Sequence, residues 1–381
     1  MNDAAALSHV LERGPLTRGE LRDLTGLSKP TISEALRRLT EARLVSVVGY
    51  VSAGPGPNAE VYAVNPDAAY AVALSVRSVR EPDSHGAPTV TAAVTDLAGT
   101  VRGRLESAVD FAATDTVAVV ADVVDEVCKE AGVARDPVAH VQIAVAGSYD
   151  QRGDVLHHVD IPGWGRSGLV EDLRRRLGVT VGVDNDVNLA AVAERAHGAG
   201  RDAESFTLLW LGEAGLGLAI DLGGTLLRGA RGGAGEIGYM PIGAGTDLQT
   251  LVGGAAVLEL GAAHGFAAPT AAGTMAAVAA GAAEGDPAAA EFVTVLAGRI
   301  ALGLSAVVAV LDPPLVVIGG EVGRAGGELL GAAVAAALAE AAPLDTTIAT
   351  TRVQDDAALL GAQEAGRASV REALLAGLSR P

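Results

Sequence analysis

The stretch TRGELRDLTGLSKPTISEALRRLTEAR, residues 17–43, has the pattern of two short helices joined by a tight turn. Apolar residues in its second half recur at the i, i+4, i+7 spacing of one buried helix face: Ile32, Leu36 and Leu39. Gly26 lies at the reversal, where a residue without a Cβ adopts the sharp turn most easily. Ser28 can cap the second helix, and Pro30 is tolerated in its first turn. The stretch therefore predicts a helix-turn-helix.

The other face of the second helix is polar, which is typical of a helix that lies in a DNA major groove. Short polar side chains near its start can reach base edges, and arginines can contact bases or phosphates. We predict DNA contacts from six residues: Ser28, Lys29, Thr31, Ser33, Arg37 and Arg38. The alternative is an ordinary helical hairpin with a solvated face, but the flanking segments favour DNA binding.

Those flanks complete a recognisable domain. A helical pattern over residues 4–13 precedes the pair, and two β-rich runs at 44–51 and 60–64 follow it, joined by the turn-forming sequence SAGPGPN. Three helices and a two-stranded hairpin predict a winged helix-turn-helix over residues 1–66. Wings usually add contacts to the DNA backbone or minor groove. The tip of this wing has no Lys or Arg, so we expect its contribution to be weak.

The charge distribution confines the predicted DNA contact to this N-terminal domain. The chain has 381 residues and a net charge of −18. Residues 1–66 hold seven basic and seven acidic residues, so the acidic remainder carries the whole net charge and is repelled by phosphate. Cys128 is the only cysteine, which excludes an intrachain disulfide. No leader or membrane span stands out, so we expect a cytoplasmic protein without membrane contact.

From residue 67 onwards the pattern is that of an α/β fold. Three strand-like runs followed by alternating helices and strands begin at residue 69, and the same order begins again at residue 206. Two such halves predict the two-lobed fold of sugar kinases and actin, with a first lobe over 67–185 and a second over 186–381. A single doubly wound sheet is the alternative, and it fits the doubled three-strand pattern less well.

Four motifs in this order resemble the ROK family of repressors, open reading frames and sugar kinases. They are PGW (162–164), DNDVNLAAVAE (184–194), GLGLAIDLGGTLLRGARGGAGEIGYM (215–240) and DPPLVVIGGEV (312–322). The repressor branch of that family carries an N-terminal winged helix, so the resemblance covers nearly the whole chain. It implies a transcription regulator, most simply a repressor, that acts as a homodimer or a dimer of dimers on a palindromic operator in double-stranded DNA.

The resemblance also implies a sugar site between the lobes. In the sugar kinases the Asp of an Asn-Asp pair is the general base on a sugar hydroxyl, and this pair is Asn185-Asp186 here. The alternative role of Asp186 is to cap the next helix. Glu236 matches a family residue that hydrogen-bonds sugar hydroxyls. Asp160 lies near the position of a sugar-binding Asn, although an ordinary turn carboxylate is an equal alternative.

The zinc site of the family is expected to be absent. Tyr239 replaces a His that contacts the sugar and ligates zinc, and the loop at 241–254 has none of the three cysteines of the family. Gln249 stands where the family has a further sugar-binding Glu. Tyr239 and Gln249 can still form hydrogen bonds with a ligand. We expect the loop to be stabilised instead by packing of Met240, Ile242, Leu248 and Leu251.

The phosphate loop of the kinases is also expected to be absent. Its Asp-x-Gly-Gly-Thr pattern should occur near residues 75–78, which read SVRS and lack both the glycines and the Asp. The similar string at 221–225 falls in the second half of the fold, where the family has a strand turn. We therefore expect no cofactor, no ATP use and no enzyme activity. Two hypotheses remain: a regulator that senses a sugar or sugar derivative, and one that has lost the sugar site and responds to another ligand or a protein partner.

Overall fold

The structure is a computed structural model that describes residues 2–52, 58–77, 88–213, 215–243, 245–342, 344–354 and 356–379. The predicted wing tip therefore lies largely outside the described residues. The N-terminal domain has three helices and three strands: α1 (Asn2–Arg13), β1 (Leu16–Thr17), α2 (Arg18–Thr25), α3 (Lys29–Glu41), β2 (Val45–Val51) and β3 (Ala59–Val64). The strands form one sheet in the order β1-β3-β2. The winged helix-turn-helix is confirmed, and the short strand β1 is an addition to the prediction.

Local signals explain the helix boundaries of this domain. Thr17 and Glu20 form a capping box at the start of α2, with the Thr17 N–H donating to the Glu20 carboxylate at 2.7 Å. Gly26 ends α2 in the left-handed conformation, at φ 67°. The three helices bury a common core beneath α3: Leu7, Leu21, Ile32, Leu36 and Leu39.

The first lobe is a five-stranded sheet flanked by helices, in the strand order β10-β7-β4-β5-β6. Its elements are β4 (Tyr70–Arg77), β5 (Thr89–Asp96), β6 (Val101–Ala108), α4 (Thr116–Glu130), β7 (Val138–Val145), β8 (Ser148–Asp150), β9 (Val155–His157), α5 (Leu169–Leu177) and β10 (Thr180–Asn185). The next helix, α6 (Asp186–His197), lies between the lobes: most of its buried residues pack with the second-lobe strands, and Leu189 packs with the first sheet. Strands β10, β7 and β4 are parallel, whereas β4, β5 and β6 form an antiparallel meander. The carboxyl end of β10 leads directly into α6 and reaches the cleft between the lobes.

The second lobe repeats this plan with the strand order β13-β12-β11-β16-β17. Its elements are β11 (Phe206–Leu211), β12 (Leu216–Leu222), β13 (Thr225–Leu226), β14 (Pro241–Gly243), β15 (Thr246–Asp247), α7 (Leu248–Val252), α8 (Gly254–Ala263), α9 (Ala271–Ala283), α10 (Pro287–Leu311), β16 (Leu315–Gly319), α11 (Gly320–Ala341), β17 (Thr347–Thr350) and α12 (Ala357–Ser379). The predicted two-lobed α/β fold is confirmed. Helices α10 and α11 are long and apolar enough to cross a membrane by length and composition, but both supply core residues of this lobe.

Helix α12 returns to the first lobe and then reaches the N-terminal domain. Its start packs against the first sheet and α6, where Gly361 lies so close to the Leu189 carbonyl oxygen that a Cβ would be 1.7 Å from it. Its later turn places Val370 in the core of the winged helix. The predicted second-lobe range 186–381 includes α12, whereas its packing is with the first lobe, because its small residues allow close contact there.

Candidate functional site

Helix α3 carries the six predicted DNA-binding residues at its start and on its solvent side. Ser28 caps the helix by accepting a 3.4 Å hydrogen bond from the Thr31 N–H. The Ser33 hydroxyl donates to the Lys29 carbonyl oxygen at 2.9 Å. Lys29 is exposed and has no ion-pair partner within the described part of the chain. Ser28 and Ser33 therefore form hydrogen bonds with the backbone of α3 itself.

The two arginines of α3 are held in ion pairs. The Arg37 guanidinium donates to Glu34 through Nε at 2.9 Å and Nη2 at 2.6 Å, and to Glu41 through Nη1 at 2.5 Å. Arg38 contacts Asp3 at 2.5 Å and Glu34 at 3.1 Å. These hydrogen bonds, led by the one from Arg37, lower the pKa of the Glu34 carboxyl to about 2. Glu34 is absent from the predicted site, although its spacing of three and four residues from the arginines signalled it.

The wing adds no cation to this surface within its described strands. The nearby Arg18 is engaged by Glu60 at 2.9 Å and by the Tyr62 hydroxyl at 2.8 Å, both on β3. On β2, Val48 and Tyr50 are exposed. Lys29, Arg37 and Arg38 lie on α3, and Arg43 is exposed just after it.

At the cleft, Asn185 caps α6. Its Oδ1 accepts hydrogen bonds from the Val187 N–H at 2.8 Å and the Asn188 N–H at 3.3 Å, and its Nδ2 donates to the Gly147 carbonyl oxygen at 3.1 Å. The cap of α6 is therefore Asn185 and not Asp186, because the helix begins at the residue after Asn185. Asp186 is the first helical residue.

Asp186 has an unusual protonation equilibrium. Burial, together with the nearby carboxylates of Glu321 and Glu236, raises the pKa of its carboxyl to about 6, while the hydrogen bond from the Val187 N–H opposes the shift. The side chain keeps partial access to solvent in the cleft. Such a carboxyl can accept or donate a hydrogen bond to a hydroxyl near neutral pH.

Glu236 reaches the same cleft from the second lobe. The Ser148 hydroxyl, on β8 of the first lobe, donates to Glu236 Oε1 at 2.6 Å. Gly235 positions this carboxylate: its φ is 89°, and a Cβ there would lie 1.8 Å from the Leu218 carbonyl oxygen. The motif GEIG therefore places its Glu by bringing the backbone directly against β12.

Tyr239 also spans the two lobes. Its hydroxyl lies 3.3 Å from Nδ1 of His158, and the two ring centroids are 5.4 Å apart. The Tyr239 side chain remains 62% exposed. His158 is absent from the predicted site, and the structure places it at the cleft on the loop after β9.

The other two predicted ligand residues have different surroundings. Gln249 Oε1 accepts a 2.8 Å hydrogen bond from the Leu216 N–H of β12, so part of its polar capacity supports the second lobe. Asp160 lies exposed in the loop between β9 and α5. Asp186 and Glu236 are near enough for the Glu236 carboxylate to raise the pKa of Asp186, and Tyr239 follows Glu236 by three residues. Ligand binding by any of these residues, including Asn185, stays a prediction.

An ion pair between the two lobes was not predicted from the sequence. Arg228, which follows β13, contacts the buried Asp184 at the end of β10 at 2.7 Å. Asp184 also accepts a 3.0 Å hydrogen bond from Asn188 Nδ2. Asp184 belongs to the DND string, but nothing in the sequence indicates that its partner lies 44 residues away.

Comparison with known proteins assigns the chain to a family. The model of the ROK family matches residues 84–365, which is well over half of the chain. This chain belongs to the ROK family. A model of the MarR family matches residues 2–49, the N-terminal helices and the start of the wing.

Individual relatives agree with this assignment. The chain is 23% identical to the xylose repressor of Bacillus subtilis over 246 residues, which cover 64% of this chain and 60% of that repressor. Its fold is similar to the crystal structure of a ROK family transcriptional regulator described as a homolog of the Escherichia coli MLC protein, with TM-score 0.75, 21% identity and coverage of 98% and 97%. It is also similar to a ROK hexokinase from Thermus thermophilus, with TM-score 0.63, 24% identity and coverage of 80% and 99%. The family thus contains both regulators and kinases.

Two segments bear on the expected absence of a ROK phosphate loop. Strand β4 ends at Arg77, which forms an ion pair with Asp356, and residues 78–87 lie outside the described residues. The string at 221–225 forms the tight turn between β12 and β13, where Leu222 pairs with Thr225. Asp221 there binds Arg195 at 2.5 Å and the Gly224 N–H at 2.9 Å. This string is a strand turn, as expected.

The region of the ROK zinc site is packed by apolar side chains. Met240, Ile242 and Leu251 lie against the core of the second lobe, and Leu248 is buried within it, which confirms the predicted packing. Within the described ranges, no three His, Cys, Asp or Glu side chains are grouped so that they could hold a metal ion. The absence of zinc from the protein stays a prediction.

Proposed function

We propose that this ROK protein is a DNA-binding transcriptional repressor controlled by a sugar or sugar derivative that binds between the lobes. The observation that carries the proposal is the winged helix-turn-helix packed against the ROK domain through α12, with Asp186 and Glu236 near enough to each other at the cleft to interact electrostatically. The xylose repressor supports the same reading. In this proposal the protein is cytoplasmic and does not contact membranes.

The DNA partner is a palindromic operator bound by a homodimer or a dimer of dimers. Two recognition helices then occupy major grooves about 34 Å apart, one turn of the duplex. Ligand binding changes repression only if the ligand has different affinities for the DNA-competent and DNA-incompetent arrangements. Selection of bound duplexes from a random library tests DNA binding directly. Loss of the selected binding in Arg37→Ala supports the assignment of α3, and intact binding contradicts it.

The effector is tested by thermal unfolding against sugars, sugar phosphates and N-acetyl sugars at millimolar concentration. A ligand at 100 times its Kd stabilises the folded state by about 2.7 kcal/mol. A stabilising sugar whose effect is lost in Asp186→Ala supports the cleft as its site. We also propose that the protein has no kinase activity, because residues 75–78, SVRS, lack the glycines and the Asp of the phosphate loop. ATP turnover with hexoses or amino sugars would contradict this.

A second candidate is a ROK regulator without a sugar effector. It is favoured by the use of three cleft groups within the protein: Glu236 by Ser148, Gln249 by Leu216, and Tyr239 by His158. A silent sugar panel with intact DNA binding supports this candidate, in which another ligand or a protein partner controls repression.

A further inference from the structure

The centre of the exposed face of α3 is acidic as well as basic. Glu34, Arg37 and Glu41 follow one another at spacings of three and four residues, which places them on one side of a helix. That side is opposite the buried residues Ile32 and Leu39. The face that a recognition helix turns toward DNA therefore has two carboxylates at its centre.

These carboxylates belong to one continuous ion-pair network: Asp3, Arg38, Glu34, Arg37 and Glu41. Glu34 is its central member, because its Oε1 accepts from both Arg37 Nη2 at 2.6 Å and Arg38 Nη1 at 3.1 Å. Three carboxylates face two guanidinium groups. With Lys29 included, these six side chains carry no net charge.

Neutrality matters because binding to DNA without sequence preference depends almost entirely on cations that replace counterions along the phosphates. A phosphate that approaches Arg37 or Arg38 must compete with carboxylates already in place. A base edge offers a different exchange: guanine accepts from an arginine, and the N4 amino group of cytosine donates to a glutamate. Base edges can provide partners for both the arginines and Glu34, whereas a phosphate leaves Glu34 without one. Base edges therefore separate these ion pairs at a lower free-energy cost than phosphates do.

We propose that Glu34 is a specificity-determining residue of this recognition helix, which withholds Arg37 and Arg38 from phosphates and accepts a hydrogen bond from a cytosine N4 amino group at the operator. The proposal rests on the DNA-binding function proposed above. In this proposal an acidic residue, Glu34, reduces binding to DNA of unrelated sequence.

The test compares Glu34→Gln with wild type on two duplexes: one selected by the wild-type protein from a random library, and a shuffled duplex of the same composition. On the shuffled duplex the variant should bind about five- to tenfold more tightly at 0.1 M salt, and its dependence of log K on log salt should steepen by about 0.9. On the selected duplex its affinity should stay equal or fall, so the specificity ratio decreases. Glu41→Gln should also raise the affinity for the shuffled duplex, but by less, since among the described residues Glu41 pairs with Arg37 alone.

Glu12→Gln is the matched control, because Glu12 is exposed on α1 and contacts Ser8. If Glu34→Gln behaves like this control, or lowers the affinity for both duplexes equally, the proposed role of Glu34 is refuted while the DNA-binding function stands. If the wild-type protein enriches no duplex, the proposed DNA-binding function fails, and the role of Glu34 fails with it.

Discussion

Ser148 and Glu236 join the two lobes by a 2.6 Å hydrogen bond across the cleft. The donor is a buried hydroxyl on β8, and the acceptor is the carboxylate that the ROK resemblance assigns to sugar recognition. A protein hydroxyl therefore occupies the kind of position that a sugar hydroxyl is expected to take. The cleft is held together by its own side chains.

Removal of this hydroxyl should weaken the contact between the lobes. Ser148→Ala leaves the Glu236 carboxylate without its donor, so we expect the free energy of unfolding to fall by about 1–3 kcal/mol. Urea denaturation measures the change. Ser167→Ala is the control, since Ser167 is exposed and donates to a loop carbonyl oxygen at 3.2 Å. Equal stability of the two variants would show that the Ser148–Glu236 bond contributes nothing.

The Arg228–Asp184 ion pair should be a second source of stability between the lobes. Arg228→Met leaves the buried Asp184 carboxylate without its guanidinium, and because Arg228 itself is partly exposed we expect a loss of about 1–3 kcal/mol. Arg231→Met, at an exposed position, should change stability little. In a double-mutant cycle, Asp184→Asn combined with Arg228→Met should cost less than the sum of the two single changes. Strict additivity would mean that the pair is not coupled.

Asp186 should make stability depend on pH in a specific direction. Its pKa rises from an ordinary value of 3.8 to about 6 in the folded protein, so the folded state holds the proton more tightly than the unfolded state. Stability contributed by this group is therefore present below about pH 4 and is lost as the pH rises to about 6. Because the side chain has partial solvent access, we expect a moderate effect. Relative to wild type, the free energy of unfolding of Asp186→Asn should increase by about 1–2 kcal/mol as the pH rises from about 4 to about 6.

Unfolding at several pH values measures this difference. Asp122→Asn, an exposed change on α4, serves as the control. A gain that is the same at every pH would place its cause outside the ionisation of Asp186.

The protein should fold without zinc. Structural zinc takes four nitrogen or sulfur ligands, and the β14–β15 region offers apolar packing by Met240, Ile242 and Leu251 instead. We expect elemental analysis of the purified protein to find no stoichiometric zinc and a chelator to leave the unfolding midpoint unchanged. One equivalent of zinc together with a chelator-sensitive midpoint would overturn this expectation.

Local patterns predicted the elements better than their partners. The helix-turn-helix could be predicted because its signals act within a few residues: the apolar spacing around Ile32, the turn at Gly26 and the cap at Ser28. The strands β1, β8 and β9 have two or three residues each, too few to show a period. Helices α7 and α8 are separated at Gly253, where Gln249 lies so close that a Cβ would be 2.3 Å from its Nε2 atom.

The amino-acid sequence was enough to predict the winged helix, the doubled order of strands and helices and the family motifs, and it led us to expect no zinc site. Each of these depends on residue types at short spacings along the chain. The packed structure was needed to show that Asp3 pairs with Arg38 of α3, that Ser148 and Arg228 join the lobes, and that α12 connects the first lobe to the winged helix. Several of these contacts join residues tens to hundreds of positions apart, and their geometry is set by how packed elements meet, which no local spacing records.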